Sequence, residues 1–239
     1  MDLIATKRSI VVACDVPTLE RFRWLVAETA AVPGVGAYKV GLQLALIYGL
    51  RNVVEVARAI TSLPLTYDHQ KGATGIPEMG ARFADACKSA GVDAVILFPL
   101  SGPETEKTWV WECQRVGLGV LVGAHMTHRR YLASEGGFII DGAPRLAFEI
   151  AADLGVTDFV VPGNKPSSVR TAREFLDAKG APYSLYAPGF ITQGGEISEC
   201  GRAAGERWHA IIGSAIYTSA DPRAMASSLA RRITDGTGS

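Results

Sequence analysis

The chain has 239 residues, 48% of them hydrophobic and 20% charged, and its 24 basic side chains balance 24 acidic ones. That composition excludes whole-chain disorder, and a net charge of zero gives no support for binding a nucleic acid polymer or an anionic membrane. The longest apolar runs, AVILF (94–98) and GVLVGA (119–124), are far too short to span a membrane, and MDLIATKRS has no apolar stretch of signal-peptide length, so a cytoplasmic protein is expected.

One theme recurs from end to end. A short β-branched run, SIVVAC from Ser9, is followed by a polar turn and the amphipathic stretch LERFRWLVAETAA (19–31). Further runs begin at Gly36 (GAYKVG) and Pro64 (PLTYD), the latter followed by the helical pattern PEMGARFADACKSAG (77–91). DAVILF starts at Asp93 and LGVLVG at Leu118. After a long insertion, MTHRRYLASEGGFIIDG (126–142), TDFVVP begins at Thr157 and leads into SSVRTAREFLDAKG (167–180). YSLYA from Tyr183 and HAIIG from His209 complete eight candidate strands, whose starts lie 25 to 39 residues apart. That spacing fits a strand, a loop and a helix, and continuous apolar strands suit a parallel sheet with helices covering its outer face. Apolar residues three and four apart mark the helices, and terminal glycines mark left-handed caps.

Eight such units predict a (β/α)8 TIM barrel forming a single domain over residues 1–239, with about 233–239 frayed. A doubly wound open sheet is the rival, but the first strand runs into ACDVP without a GxGxxG turn. The 126–142 insertion reads as an extended active-site loop that folds over a ligand. Four cysteines (14, 87, 113, 200) form no CxxC pair and read as buried free thiols.

A barrel builds its site at the carboxyl ends of its strands. Asp15, Lys39, Asp68, Lys71, His125, Thr127, Lys165, Gln193, Gly194, Gly213 and Ser214 all fall there. Taken singly, several have structural readings: Lys39 can snorkel to the rim, Asp68 can cap the next segment, and Asp15 can serve a turn. No HxH or HExxH spacing points to a metal, and no GxSxG elbow points to a serine hydrolase. Charges converging on one small mouth are costly unless they are used.

Taken together, ACDVP (13–17), YKVG (38–41), YDHQKGATGIPEMG (67–80), HMTH (125–128), VVPGNKP (160–166), APGFITQGG (187–195) and IIGSAIY (211–217) resemble the orotidine 5'-monophosphate decarboxylase family, in the form of its archaeal-type DHQK branch. The resemblance implies a cofactor-independent, metal-free decarboxylase giving uridine 5'-monophosphate. It makes Lys39, Asp68 and Lys71 the charged catalytic cluster, with Lys71 the proton donor to the ring carbon and Asp68 beside the substrate carboxylate. Asp15 would bind ribose hydroxyls and Thr127 the pyrimidine edge. Gln193, Gly194 and the backbone near Gly213 and Ser214 would hold the 5'-phosphate. A homodimer, with loops near 72–80 at its interface, is implied in the same way.

Two positions depart from the family pattern. Gly75 stands where the family has a second aspartate before the Ile-Pro step, with Thr74 and Glu78 as partial substitutes. Ser214 stands where it has a phosphate-clamping arginine, with Arg129, Arg130, Arg202 and Lys165 as candidate replacements. Three readings follow: a divergent orotidine-monophosphate decarboxylase; a related decarboxylase of a modified or non-phosphorylated nucleoside acid or of a sugar phosphate; and a catalytically silent nucleotide-binding protein. The magnesium-dependent sugar-phosphate relatives need a glutamate at position 39 and the second aspartate, so Lys39 and Gly75 supply a hard cation poorly.

Overall fold

The structure is a computed structural model that describes residues 2–190 and 196–234, with only the backbone described for Gln70 and Lys71. Eight parallel strands close into a barrel in simple sequence order: β1 (Arg8–Ala13), β2 (Val35–Gly41), β3 (Leu65–Gly72), β4 (Ala94–Leu97), β5 (Gly119–Gly123), β6 (Asp158–Val160), β7 (Ser184–Pro188) and β8 (Trp208–Ile212). Closure comes from β8 pairing with β1, where Val12 faces Ile212. The doubly wound alternative is thereby excluded, because an open sheet has two unpaired edges.

Ten helices among the described residues surround the strands: α1 (Leu19–Thr29), α2 (Leu42–Tyr48), α3 (Leu50–Arg58), α4 (Met79–Ala90), α5 (Pro103–Arg115), α6 (Ala143–Asp153), α7 (Pro166–Lys179), α8 (Ile197–Ala204), α9 (Ser214–Tyr217) and α10 (Pro222–Thr234). None is long and apolar enough to cross a membrane. The hydroxyl of Thr18 accepts from the Arg21 amide at 3.1 Å and starts α1. Gly91 and Gly180 end α4 and α7 at φ of 91° and 71°, the left-handed caps that the sequence predicts.

Alternation along each strand divides the core. Val11, Ala37, Ile96, Leu121, Val160 and Ile211 point into the barrel and fill it. Their neighbours, such as Ile10, Val12, Val95 and Val122, point outward and pack under the helices. Burial on both faces explains why the strands read as unbroken apolar runs. All four cysteines are buried free thiols.

Three features of the described residues add to the simplest reading of the sequence. First, β3 does not stop at Asp68. It runs to Gly72, and Asp68 and Gly72 face consecutive residues of β4, Ile96 and Leu97, so residues 69–71 form a bulge at the barrel mouth. Second, the 126–142 insertion packs on itself, with a 3-10 turn over Ala133–Glu135 and a bridge between Leu132 and Ile139. Third, the C-terminal stretch expected to fray begins inside α10, where Ile233 is buried, and residues 235–239 lie outside the described residues.

Candidate active site

At the carboxyl end of the barrel lies a cavity of about 290 Å³. Its wall includes Asp15 after β1, Lys39 on β2, Asp68 on β3, Thr127 after β5, and Gly213 and Ser214 after β8. The floor is apolar and includes Ile96, Val160 and Ile211, the top layer of the barrel interior.

Lys39 is the centre of the polar wall. Its side chain is buried, with 6% of the residue exposed, so it does not snorkel to bulk solvent. Nζ donates to Oδ1 and Oδ2 of Asp15 at 3.2 and 3.3 Å and to Oδ2 of Asp68 at 3.2 Å. Burial alone would pull the lysine pKa down. Asp68 and Asp15 outweigh it and push the pKa above the ordinary lysine value, so the ammonium is retained. Both aspartates thus serve Lys39, in place of the capping and turn roles that each could have filled alone. Two carboxylates share one ammonium, and among the described residues no group of three or more His, Cys, Asp or Glu side chains is placed to hold a metal ion. The position a hard cation would take between the two carboxylates is filled by the lysine.

Of the other expected site residues, Lys71 lies on β3 in the bulge at the mouth, and its side chain is outside the described residues. Gln193 and Gly194 also lie outside them. Thr127 is fixed through its carbonyl, which accepts from Asn164 Nδ2 at 3.0 Å. Gly189, which follows β7 and has φ of 105°, approaches Thr127 and Asn164 so closely that a Cβ would lie 3.0 Å from Thr127 Cγ2.

The proposed substitutes for the two missing groups do not reach the cavity wall. Thr74 and Glu78 are exposed outside it. Lys165 is engaged elsewhere, donating to Glu135 Oε1 at 2.6 Å and lying 3.0 Å from His125 Nε2. Arg129, Arg130 and Arg202 are also absent from the wall, where Lys39 is the one cation among the described residues. His125, placed by the sequence at the end of the fifth strand but given no role there, lines the cavity beside Met126 and Thr127.

Fold and site together define a (β/α)8 barrel whose mouth carries a buried lysine between two aspartates. No family profile matches the chain. Individual relatives do: it is 28% identical to the orotidine 5'-phosphate decarboxylase of Methanosarcina barkeri over 227 residues, 95% of each chain. It is also 28% identical to that of Methanosarcina mazei over 199 residues, 83% of this chain and 84% of the relative. Among solved structures, orotidine 5'-monophosphate decarboxylase from Methanocaldococcus jannaschii, complexed with the inhibitor BMP, superposes with a TM-score of 0.81 at 22% identity, covering 95% of this chain and 98% of the other. The enzyme from Pyrococcus horikoshii gives a TM-score of 0.77 at 22% identity, over 94% and 99%. The chain is homologous to the two Methanosarcina proteins, within one barrel superfamily, and shares the fold of the two solved structures.

Proposed function

We propose that this protein is a cofactor-independent carboxy-lyase that converts orotidine 5'-monophosphate to uridine 5'-monophosphate and carbon dioxide. The observation that carries the reading is the buried Lys39 held between Asp15 and Asp68 at the mouth of the barrel. Sequence likeness to two orotidine 5'-phosphate decarboxylases, over 95% and 83% of this chain, supports it.

The chemistry follows from charge. Breaking the bond between the ring carbon and its carboxylate releases carbon dioxide and leaves an electron pair on the carbon. With no electron sink, that pair must be stabilised electrostatically and protonated promptly. Lys71, three residues beyond Asp68 on β3, supplies the ammonium that gives its proton to the ring carbon and recovers one from solvent. Asp68 sits beside the substrate carboxylate, so repulsion between them is relieved as carbon dioxide leaves. Lys39 keeps Asp68 oriented. Asp15 takes the ribose hydroxyls and Thr127 the pyrimidine edge. Gln193, Gly194 and the backbone at Gly213 and Ser214 hold the phosphate, whose binding energy is delivered away from the reacting carbon. The active form is a cytoplasmic homodimer whose interface includes the loops near 72–80.

A second reading, a decarboxylase of a related nucleoside acid that lacks the phosphate, is favoured by one observation: Ser214 replaces the family's arginine, and among the described residues no arginine lines the cavity. Release of carbon dioxide from orotidine 5'-monophosphate and from orotidine, compared without added metal, decides between them. Turnover of the nucleotide supports the first reading, turnover of orotidine alone supports the second, and inertness toward both defeats both.

A further inference from the structure

Next to the Lys39 cluster lies a second polar group. His125 forms part of the cavity wall and also of an adjoining cavity of about 230 Å³ between β6, α6 and α7. Its Nε2 stands 3.0 Å from Lys165 Nζ, and Lys165 is itself held by Glu135 at 2.6 Å. Glu135 belongs to the 126–142 insertion, where the Tyr131 amide also donates to its Oε2 at 3.2 Å. The Tyr131 ring stacks on the imidazole at 5.7 Å between centroids and 21° between planes, and its hydroxyl anchors to the Ala124 carbonyl at 3.1 Å.

An ammonium group has three donors and no acceptor. Lys165 Nζ at 3.0 Å is nearer to Nε2 than Glu135 Oε1 at 3.7 Å, so Nε2 is placed to accept from the ammonium, and the proton of a neutral imidazole then sits on Nδ1. A second positive charge on the ring would face the ammonium at hydrogen-bond distance. The groups around the ring agree: burial and then Lys165 push its pKa down, His128 adds to this, and Glu135 offsets part of it.

We propose that His125 is a specificity-determining residue that presents a fixed Nδ1–H donor to the substrate ring, with Lys165 and Glu135 as the positioning pair that selects this tautomer. The proposal rests on the decarboxylase reading and sharpens it. The hydroxyl of Thr127 can donate or accept, whereas a neutral Nδ1–H can only donate. The site therefore selects a ring edge that carries a carbonyl oxygen and rejects one that carries an amino group, because two facing donors would leave a buried polar group unpaired.

Two measurements test it. In the wild-type protein labelled with 15N-histidine, the His125 spectrum at neutral pH should show a protonated Nδ1 and a bare Nε2. Lys165→Met should give a mixture of tautomers. A proton on Nε2 in the wild type would overturn the inference, and an unchanged tautomer in Lys165→Met would overturn the positioning role. In calorimetry, the wild type should bind uridine 5'-monophosphate about tenfold or more tighter than cytidine 5'-monophosphate. His125→Leu should bring that ratio close to one, while His125→Asn, whose amide N–H lies near the Nδ1 position, should retain it. An unchanged ratio in a folded His125→Leu protein would overturn the inference. Failure of the wild type to bind uridine 5'-monophosphate would instead defeat the decarboxylase reading on which it rests.

Discussion

Lys39 Nζ stands 3.2 Å from Asp68 Oδ2, across the seam between β2 and β3, in the register that pairs Gly41 with Asp68. Strand pairing brings the two side chains to the same end of the barrel, and Asp15 holds Nζ there as well. Neither side chain depends on a flexible loop, so the pair is positioned before any ligand arrives.

Replacing Lys39 with Met is expected to remove the ammonium that Asp15 and Asp68 share. Removing one member of a buried charge set costs about 3 kcal/mol or more. Urea denaturation should show that loss at neutral pH, with part of it recovered in Lys39→Met/Asp68→Asn. The raised lysine pKa fixes the sign of the pH dependence. The ion set's contribution is complete below the ordinary lysine value and is lost as the pH climbs through the higher folded value. Turnover in Lys39→Met should fall about a thousandfold.

Gly75→Asp restores the family's second carboxylate. The segment is pinned by α5, whose Thr105 Oγ1 donates to the Gly75 carbonyl at 3.1 Å. A Cβ at Gly75 would lie 3.4 Å from Trp109 Cζ2, ordinary van der Waals contact, so the substitution fits without moving the backbone. We expect kcat/KM for orotidine 5'-monophosphate to rise about tenfold. A folded variant with unchanged kcat/KM would show that this carboxylate is not what the wild type lacks.

Ser214→Arg should tighten nucleotide binding by roughly ten- to a hundred-fold, the range of one charge-assisted hydrogen bond to phosphate. Inhibition by free inorganic phosphate, weak in the wild type, should strengthen in parallel. Strong inhibition of the wild type at micromolar phosphate would contradict this account of position 214.

Much of this was legible in the sequence, for identifiable reasons. Strands buried on both faces write themselves as apolar runs, and the strand spacing repeats with the βα unit, so the barrel and the strand-end positions of Asp15, Lys39 and Asp68 follow directly. The bulge at residues 69–71 was not legible, because DHQK has the polarity of a loop while its backbone continues the strand. Lys165 reads in the sequence as one of four candidate cations for the phosphate, whereas the structure engages it with Glu135 and His125. Its partner Glu135 is thirty residues away, and only the folded insertion brings them together. Glu106 gave no signal either: an acidic residue in the first turn of α5 reads as a helix-dipole partner.

In the structure Glu106 is 2% exposed and lines an apolar groove with Leu100, Ile140 and Leu146. Its Oε1 has no hydrogen-bond partner among the described residues, and burial pushes its pKa up to about 8. The folded state then holds a proton that the unfolded chain releases near the ordinary value of 4.5. Stability should decline as pH rises from about 4.5 to 8 and level off above. The expected loss is on the order of 2 kcal/mol, allowing for solvent in the groove. Glu106→Gln should flatten this dependence in urea titrations across that range.

The most direct test measures release of labelled carbon dioxide from carboxyl-labelled orotidine 5'-monophosphate by the wild type and by Lys71→Ala, without added metal and with nucleotide binding checked by calorimetry. The account predicts turnover by the wild type, and in Lys71→Ala retained binding with no release above buffer. Undiminished release by Lys71→Ala, or none by a folded wild type at saturating substrate, would contradict it.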